Sequence, residues 1–180
     1  NQTVCIVDSG INYTHQDLGG CPYNNNINTA NCSKVIGGYD YVNLDDNPLD
    51  DNGHGTHVSG IVSANGTLKG VAIESRLVAL KACNINGTCS DVAMINSLKW
   101  CNSNSSLYNI KVISISIGNN VSYSSDNCPT WLDQEINDAY SKNISVIVSS
   151  GNNGYLSGIS YSACSPNATS VGATYDKNIS

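Results

Sequence analysis

Basic side chains are scarce in this sequence. Its 180 residues hold 8 Lys and Arg against 14 Asp and Glu, with a pI near 4.7. A nucleic-acid binder needs a positive face to neutralise phosphates, so that class of partner is excluded. Long apolar runs are missing as well, and without a stretch of about 18 apolar residues no membrane insertion by this chain is expected. No signal peptide is visible, yet the chain opens almost directly on the apolar run Val4 to Val7, so we expect processing or truncation upstream. With no internal repeat or low-complexity linker there is no domain boundary to draw. The length suits one domain, residues 1–180, with a full core.

What is abundant points to an oxidising compartment. Eight cysteines are many for a cytosolic enzyme, and spacings such as Cys21 to Cys32 are unlike the close pairs of a zinc ribbon. Asn-x-Ser/Thr sequons at Asn1, Asn12, Asn31, Asn65, Asn86, Asn104, Asn120, Asn143, Asn167 and Asn178 agree, although an Asn- and Ser-rich chain yields some by chance. A secreted glycoprotein, extracellular or at the cell surface, is the expectation.

Val4-Cys5-Ile6-Val7 has the pattern of a strand buried on both faces and ends at Asp8-Ser9-Gly10. A polar surface loop follows, one that a disulfide between Cys21 and Cys32 would close. Further strands are expected over 35–42, 77–81, 112–117, 146–148 and 170–174. Between them, Ser90 caps a helix to about Cys101 with Ala93, Met94, Ser97, Leu98 and Cys101 on one face. Thr130 caps another with Leu132, Ile136, Ala139 and Tyr140 inward. Strands alternating with helices predict an α/β layered fold with a largely parallel sheet, whose ligand sites gather at the carboxyl ends of the strands.

The stretch Asp51-Asn52-Gly53-His54-Gly55-Thr56-His57 sets an imidazole between two glycines at a helix start, with Val58, Ile61 and Val62 as the expected core face. Unpaired amides there disfavour an imidazolium unless a carboxylate offsets them. Asp8, after the first strand, is the candidate. Together they make a base and its orienter, while Asn152, an amide among glycines, suits a tetrahedral oxyanion.

Asp8-Ser9-Gly10 with Thr14-His15-Gln16-Asp17-Leu18, then Gly53-His54-Gly55-Thr56-His57-Val58, Ser116-Ile117-Gly118 and Gly151-Asn152 resemble, in type, order and setting, the subtilisin-like serine peptidases. The resemblance implies a three-layer fold with helices on both faces of the sheet. It implies that Asp8 and His54 belong to a catalytic triad and that Asn152 is the oxyanion residue. Ser116, Ile117 and Gly118 would then bind extended polypeptide substrate by β-pairing, and Ser149, Ser150 and Gly151 would wall the pocket for the residue before the scissile bond. Asn153, neutral where an acid would attract basic side chains, lowers a preference for Lys or Arg. No cofactor is implied.

The departure is the nucleophile. The family's Gly-Thr-Ser-Met-Ala-like block lies well past the oxyanion asparagine, and no such block occurs before Ser180. The sequence therefore reads as the front of a peptidase domain whose C-terminal part is missing, inactive alone, with a pro-segment and that missing part as possible partners. Asp17 matches a calcium-ligating position of many members, but the partner loop is reduced to Asn65-Gly66-Thr67-Leu68-Lys69, so this site is expected to be absent. Cys83 and Cys89 bracket a loop that borders the family's cleft and are expected to pair, as are Cys21 and Cys32. Cys5 with Cys101 and Cys128 with Cys164 are the weaker assignments, because connectivity cannot be deduced from sequence. His57 is expected to pack as a supporting residue and His15 to sit in a surface loop, while Asp45, Asp46, Asp50 and Asp51 read as a solvated turn rather than a cation site. Two rivals stand beside the peptidase. One is a non-catalytic secreted glycoprotein of the same fold that binds peptides or a partner protein. The other is a metal hydrolase built on His54 and His57, which lacks the glutamate of a metalloprotease helix.

Overall fold

A computed structural model describes residues 1–174. Six strands, β1 (Thr3–Asp8), β2 (Val35–Asp40), β3 (Arg76–Lys81), β4 (Ile110–Ile115), β5 (Ser145–Ser149) and β6 (Ala168–Val171), form one sheet in the order β2-β3-β1-β4-β5-β6. Every pairing is parallel. β1 takes the middle with all six residues buried, because a continuous apolar run has no face to give to water. Its side chains alternate between two cores. Val4 and Ile6 join Ile11, Leu18, Leu77 and Ala79 on one face, whereas Cys5 and Val7 join Val78, Leu80, Leu98, Ile113, Ile136 and Val148 on the other.

Helices cover both faces. α1 (His54–Ser63) lies over the first core, while α2 (Asp91–Ser103), with the short α3 (Ser105–Tyr108) after it, and α4 (Asp133–Ser141) cover the second. The three-layer arrangement expected from the sequence is the one observed. The predicted inner face of α2 is buried residue for residue. β6 begins two residues earlier than expected and ends at Val171. In α4, Leu132, Ile136 and Ala139 turn inward but Tyr140 is exposed, because Ala139 and Ile144, either side of the left-handed turn at Asn143, close that end of the core. The sequon at Asn178 lies outside the described residues.

α1 departs most from expectation. Its buried side is Gly55, Ser59 and Ser63, spaced by four, while Ile61 is 57% exposed. Close approach is the reason. A β-carbon on Gly55 would lie 2.1 Å from the Gly10 carbonyl oxygen, and branched side chains on that face would lift the helix off the sheet.

Disulfides join Cys5 to Cys101, Cys21 to Cys32, Cys83 to Cys89 and Cys128 to Cys164. The first fastens the central strand to α2 across 96 residues of sequence. Replacing both Cys5 and Cys101 by alanine is expected to lower unfolding free energy by about 2–5 kcal/mol, measured by urea denaturation. Peptide mapping without reduction is expected to recover the four pairs.

Candidate active site

β3 lies on one side of β1 and β4 on the other, so the carboxyl end of β1 is where the chain's connections diverge and a crevice opens. Asp8 closes β1 there. Gly53, in the left-handed region at φ 103, turns the chain into α1 with His54 as its first residue. His54 Nδ1 lies 2.8 Å from Asp8 Oδ1, which also accepts from the Ser9 amide at 2.7 Å. This contact assigns the proton to Nδ1 and leaves the Nε2 lone pair free. The carboxylate is buried, and the ring is about half exposed on the crevice rim.

Burial pushes the Asp8 carboxyl above the ordinary aspartate range, against the lowering effect of its hydrogen bonds with His54 and Ser9. Its Oδ2 is buried without a partner. An anion so poorly compensated gains from a positive imidazole beside it, which is the property required of a base that is protonated in mid-reaction.

Asp50 holds the loop that presents the histidine. Its Oδ1 accepts from the Ser9 hydroxyl at 2.8 Å, the Asn52 amide at 3.0 Å and the Gly53 amide at 2.9 Å. Its Oδ2 accepts from the Thr56 amide and hydroxyl. Ser9 Oγ in turn accepts from the Gly55 amide at 2.9 Å, closing a circuit around the Asp8–His54 pair. Burial raises the Asp50 carboxyl, but the hydrogen bonds from Thr56, Gly53 and Asn52 outweigh it and hold the group below the ordinary range. Asp51 pairs with Lys81 at 2.6 Å, and that buried ammonium also lies 4.0 Å from Asp40. Asp45 and Asp46 are tied to Asn47, Asn26 and Asn28. Asp45 and Asp51 are exposed, as a solvated turn would have them, while Asp46 and Asp50 are half-buried in these bonds and make the run a framework as well. Asp50 carries a legible signal, an aspartate placed to bond the amides two and three residues on. The partnership of Lys81 with Asp51 carries none.

A cavity of about 440 Å³ runs from this pair. Its lining includes Ser116, Ile117 and Gly118 after β4, the Cys83–Cys89 loop, Asn152, and an apolar end of Met94, Trp131 and Leu132. Ser150 and Gly151 line an adjoining depression with Asn152, and Ser149, the last residue of β5, lines neither. His57 is exposed rather than packed and borders a separate surface hollow with His15, Asp17 and Leu68. His15 is exposed as expected, and its Nδ1 accepts from the Asp17 amide. Asp17 itself accepts from the Thr67 and Leu68 amides, so the shortened loop is bonded straight to the carboxylate. Among the described residues no three His, Cys, Asp or Glu side chains converge as metal ligands.

The sequence pattern that defines the Subtilase family matches residues 1–179. The chain belongs to that family. It is 35% identical over 159 residues to the thermophilic serine proteinase of Bacillus sp. (strain AK1), covering 85% of this chain and 33% of that protein. Against the minor extracellular protease Epr of Bacillus subtilis (strain 168) it is 30% identical over 181 residues, 99% of this chain and 24% of the relative. The solved structure of sphericase superposes with a TM-score of 0.78 at 25% identity, covering 98% of this chain and 57% of that one. The chain thus spans a quarter to a third of these two curated relatives.

Asp50→Asn is expected to lower stability at pH 7 by about 2 kcal/mol, the scale of lost hydrogen bonds to a charged group. The sign with pH follows from its lowered pKa. The contribution of Asp50 is present above the ordinary aspartate value and lost as pH falls through the folded one. Urea titrations at pH 7 and pH 3 are therefore expected to show the gap between wild type and Asp50→Asn narrowing in acid.

Proposed function

We propose that this chain is the acid- and base-bearing part of a serine endopeptidase catalytic domain, and that its nucleophile is a serine outside these 180 residues. The observation that carries this reading is the 2.8 Å contact between His54 Nδ1 and the buried carboxylate of Asp8, on the rim of a cleft that Asn152 also lines. In the reaction, His54 Nε2 takes the serine proton as the hydroxyl oxygen bonds to the peptide carbonyl carbon, and the carbonyl electron pair moves onto oxygen. Asn152 donates to that oxyanion. The removal of one such donor in subtilisin costs roughly 3 kcal/mol of transition-state stabilisation. His54 then gives its proton to the leaving amine, and water repeats the sequence on the acyl ester. Polypeptide substrate lies extended along Ser116, Ile117 and Gly118, and Ser149, Ser150 and Gly151 belong to the wall beside it.

We also read the protein as exported and glycosylated. Four disulfides support this, as do exposed sequon asparagines at Asn31, Asn65, Asn86, Asn120 and Asn143. The relative named as an extracellular protease points the same way, and no helix among the described residues is long and apolar enough to cross a membrane.

In subtilisin, loss of the nucleophile alone costs about 10⁶ in turnover. The isolated 180 residues are accordingly expected to show no peptide hydrolysis sensitive to a serine-directed inhibitor, and such hydrolysis would falsify the assignment of the nucleophile. In the full-length protein, His54→Ala is expected to lower kcat by about 10⁴-fold or more with little change in KM.

A further inference from the structure

The fold sorts the Asn-x-Ser/Thr sequons by what surrounds each side-chain amide. Oligosaccharide on an asparagine Nδ2 is bulky and hydrated, so a folded chain accommodates it only where that nitrogen faces water. Asn12 is turned to its own sequon, its Oδ1 accepting from the Thr14 amide and hydroxyl. Asn104 Nδ2 donates to the Trp100 carbonyl, and Asn167 Nδ2 to Asn137 Oδ1. Asn86 and Asn120 are exposed, and the Asn120 side chain is held through its oxygen, which accepts from Asn153 Nδ2 at 3.3 Å.

These two stand at the cleft. β3 and β4 flank β1, so the loops that follow them rise on either side of the Asp8 end, and Gly87 of one sequon and Asn119 beside the other line the cavity. Both loops are fastened. The Cys83–Cys89 bridge closes the first, Asn84 Oδ1 accepts from the Asn86 and Thr88 amides at 3.0 and 3.1 Å, and Asn52 Nδ2 ties the Ile85 carbonyl to the histidine loop at 2.8 Å. In the second, the Ser160 hydroxyl donates to the Asn119 carbonyl at 2.8 Å and the Ser122 hydroxyl to the Ser157 carbonyl at 2.7 Å. A sugar rooted in such a loop stays at the rim.

We propose that Asn86 and Asn120 carry N-linked oligosaccharides that screen the cleft from both rims, admitting extended polypeptide and holding off folded proteins. The proposal rests on the peptidase and export readings. In the modification, Nδ2 bonds to the anomeric carbon of a lipid-pyrophosphate-linked oligosaccharide, the bond from that carbon to the pyrophosphate oxygen breaks, and the pyrophosphate takes the proton that the amide loses. The screen works by size. A folded inhibitor of standard size covers about 800 Å² of its target and must rest on the rims, whereas a short peptide lies within the cleft.

The test uses full-length protein recovered from the medium of cells that N-glycosylate exported chains. Glycosidase release followed by peptide mapping is expected to find sugar on Asn86 and Asn120. Association of a folded protein inhibitor of serine peptidases is expected to be about tenfold faster in the Asn86→Gln, Asn120→Gln double variant, with turnover of a short peptide 4-nitroanilide unchanged. Thr88→Ala is expected to lose the Asn86 sugar and Thr88→Ser, which keeps the sequon, to retain it and behave as wild type. Recovery of either asparagine without sugar overturns the proposal, as does equal inhibitor association in wild type and double variant, or acceleration of peptide and inhibitor alike; the peptidase reading survives each. A wild type that neither cleaves the peptide nor binds the inhibitor overturns the peptidase reading, and the screen with it.

Discussion

A carboxylate buried at the end of the central strand is the constraint around which this structure is arranged. Asp8 is shut away from water with one oxygen unpartnered, and its compensation comes from the imidazole of His54. That contact requires α1 to begin close against the end of β1, at a distance only glycine tolerates at position 55. The small inner face of the helix, Gly55, Ser59 and Ser63, is the consequence of that approach. Larger apolar residues at those positions would bury more surface, but they would carry the histidine away from the acid.

The neighbouring loop meets the same demand by polar means. Gly53 frees the chain to turn, but a turn open to solvent does not fix a ring. Asp50 supplies the fixing by gathering the amides of Asn52, Gly53 and Thr56 with the Ser9 hydroxyl, and Asp51 anchors the next residue to the buried Lys81. A buried ion pair is weak evidence for stability, since desolvation offsets much of its attraction. Its contribution here is one of placement, because Lys81 ends β3 beside Asp8 and ties the histidine loop to the sheet itself.

Much of this was legible in the sequence, and the line between legible and hidden is physical. The strand pattern of Val4 to Val7, the inner face of α2 and the glycine-flanked histidine depend on local spacing, which a sequence displays. The order of Asp8, His54 and Asn152 placed them on one sheet edge because parallel strands put their carboxyl ends together. What stayed hidden depends on distances between segments far apart in the chain. Of the expected apolar face, Val62 packs against the core but Ile61 is exposed, because periodicity registers which residues share a face but not how near the next element lies. The partnership of Lys81 with Asp51 belongs to the same hidden class, since it joins residues tens of positions apart.

The two carboxylates of the site also pull the fold in opposite directions along the pH scale. Asp50, held below its ordinary range, contributes stability that is present above the unfolded aspartate value and lost as pH falls through the folded one. Asp8, pushed above that range by burial, contributes stability that is fully present below the unfolded value and lost as pH rises through the folded one. Above both values the fold therefore carries an ionised Asp8 at a cost, and the hydrogen-bonded Asp50 stands against that cost from the adjoining loop. A site that must keep one buried carboxylate charged beside a histidine is stable only if its surroundings supply such an offset. In this chain the offset is built into the residues that aim the histidine, so the group that fixes the imidazole also stabilises the setting of Asp8.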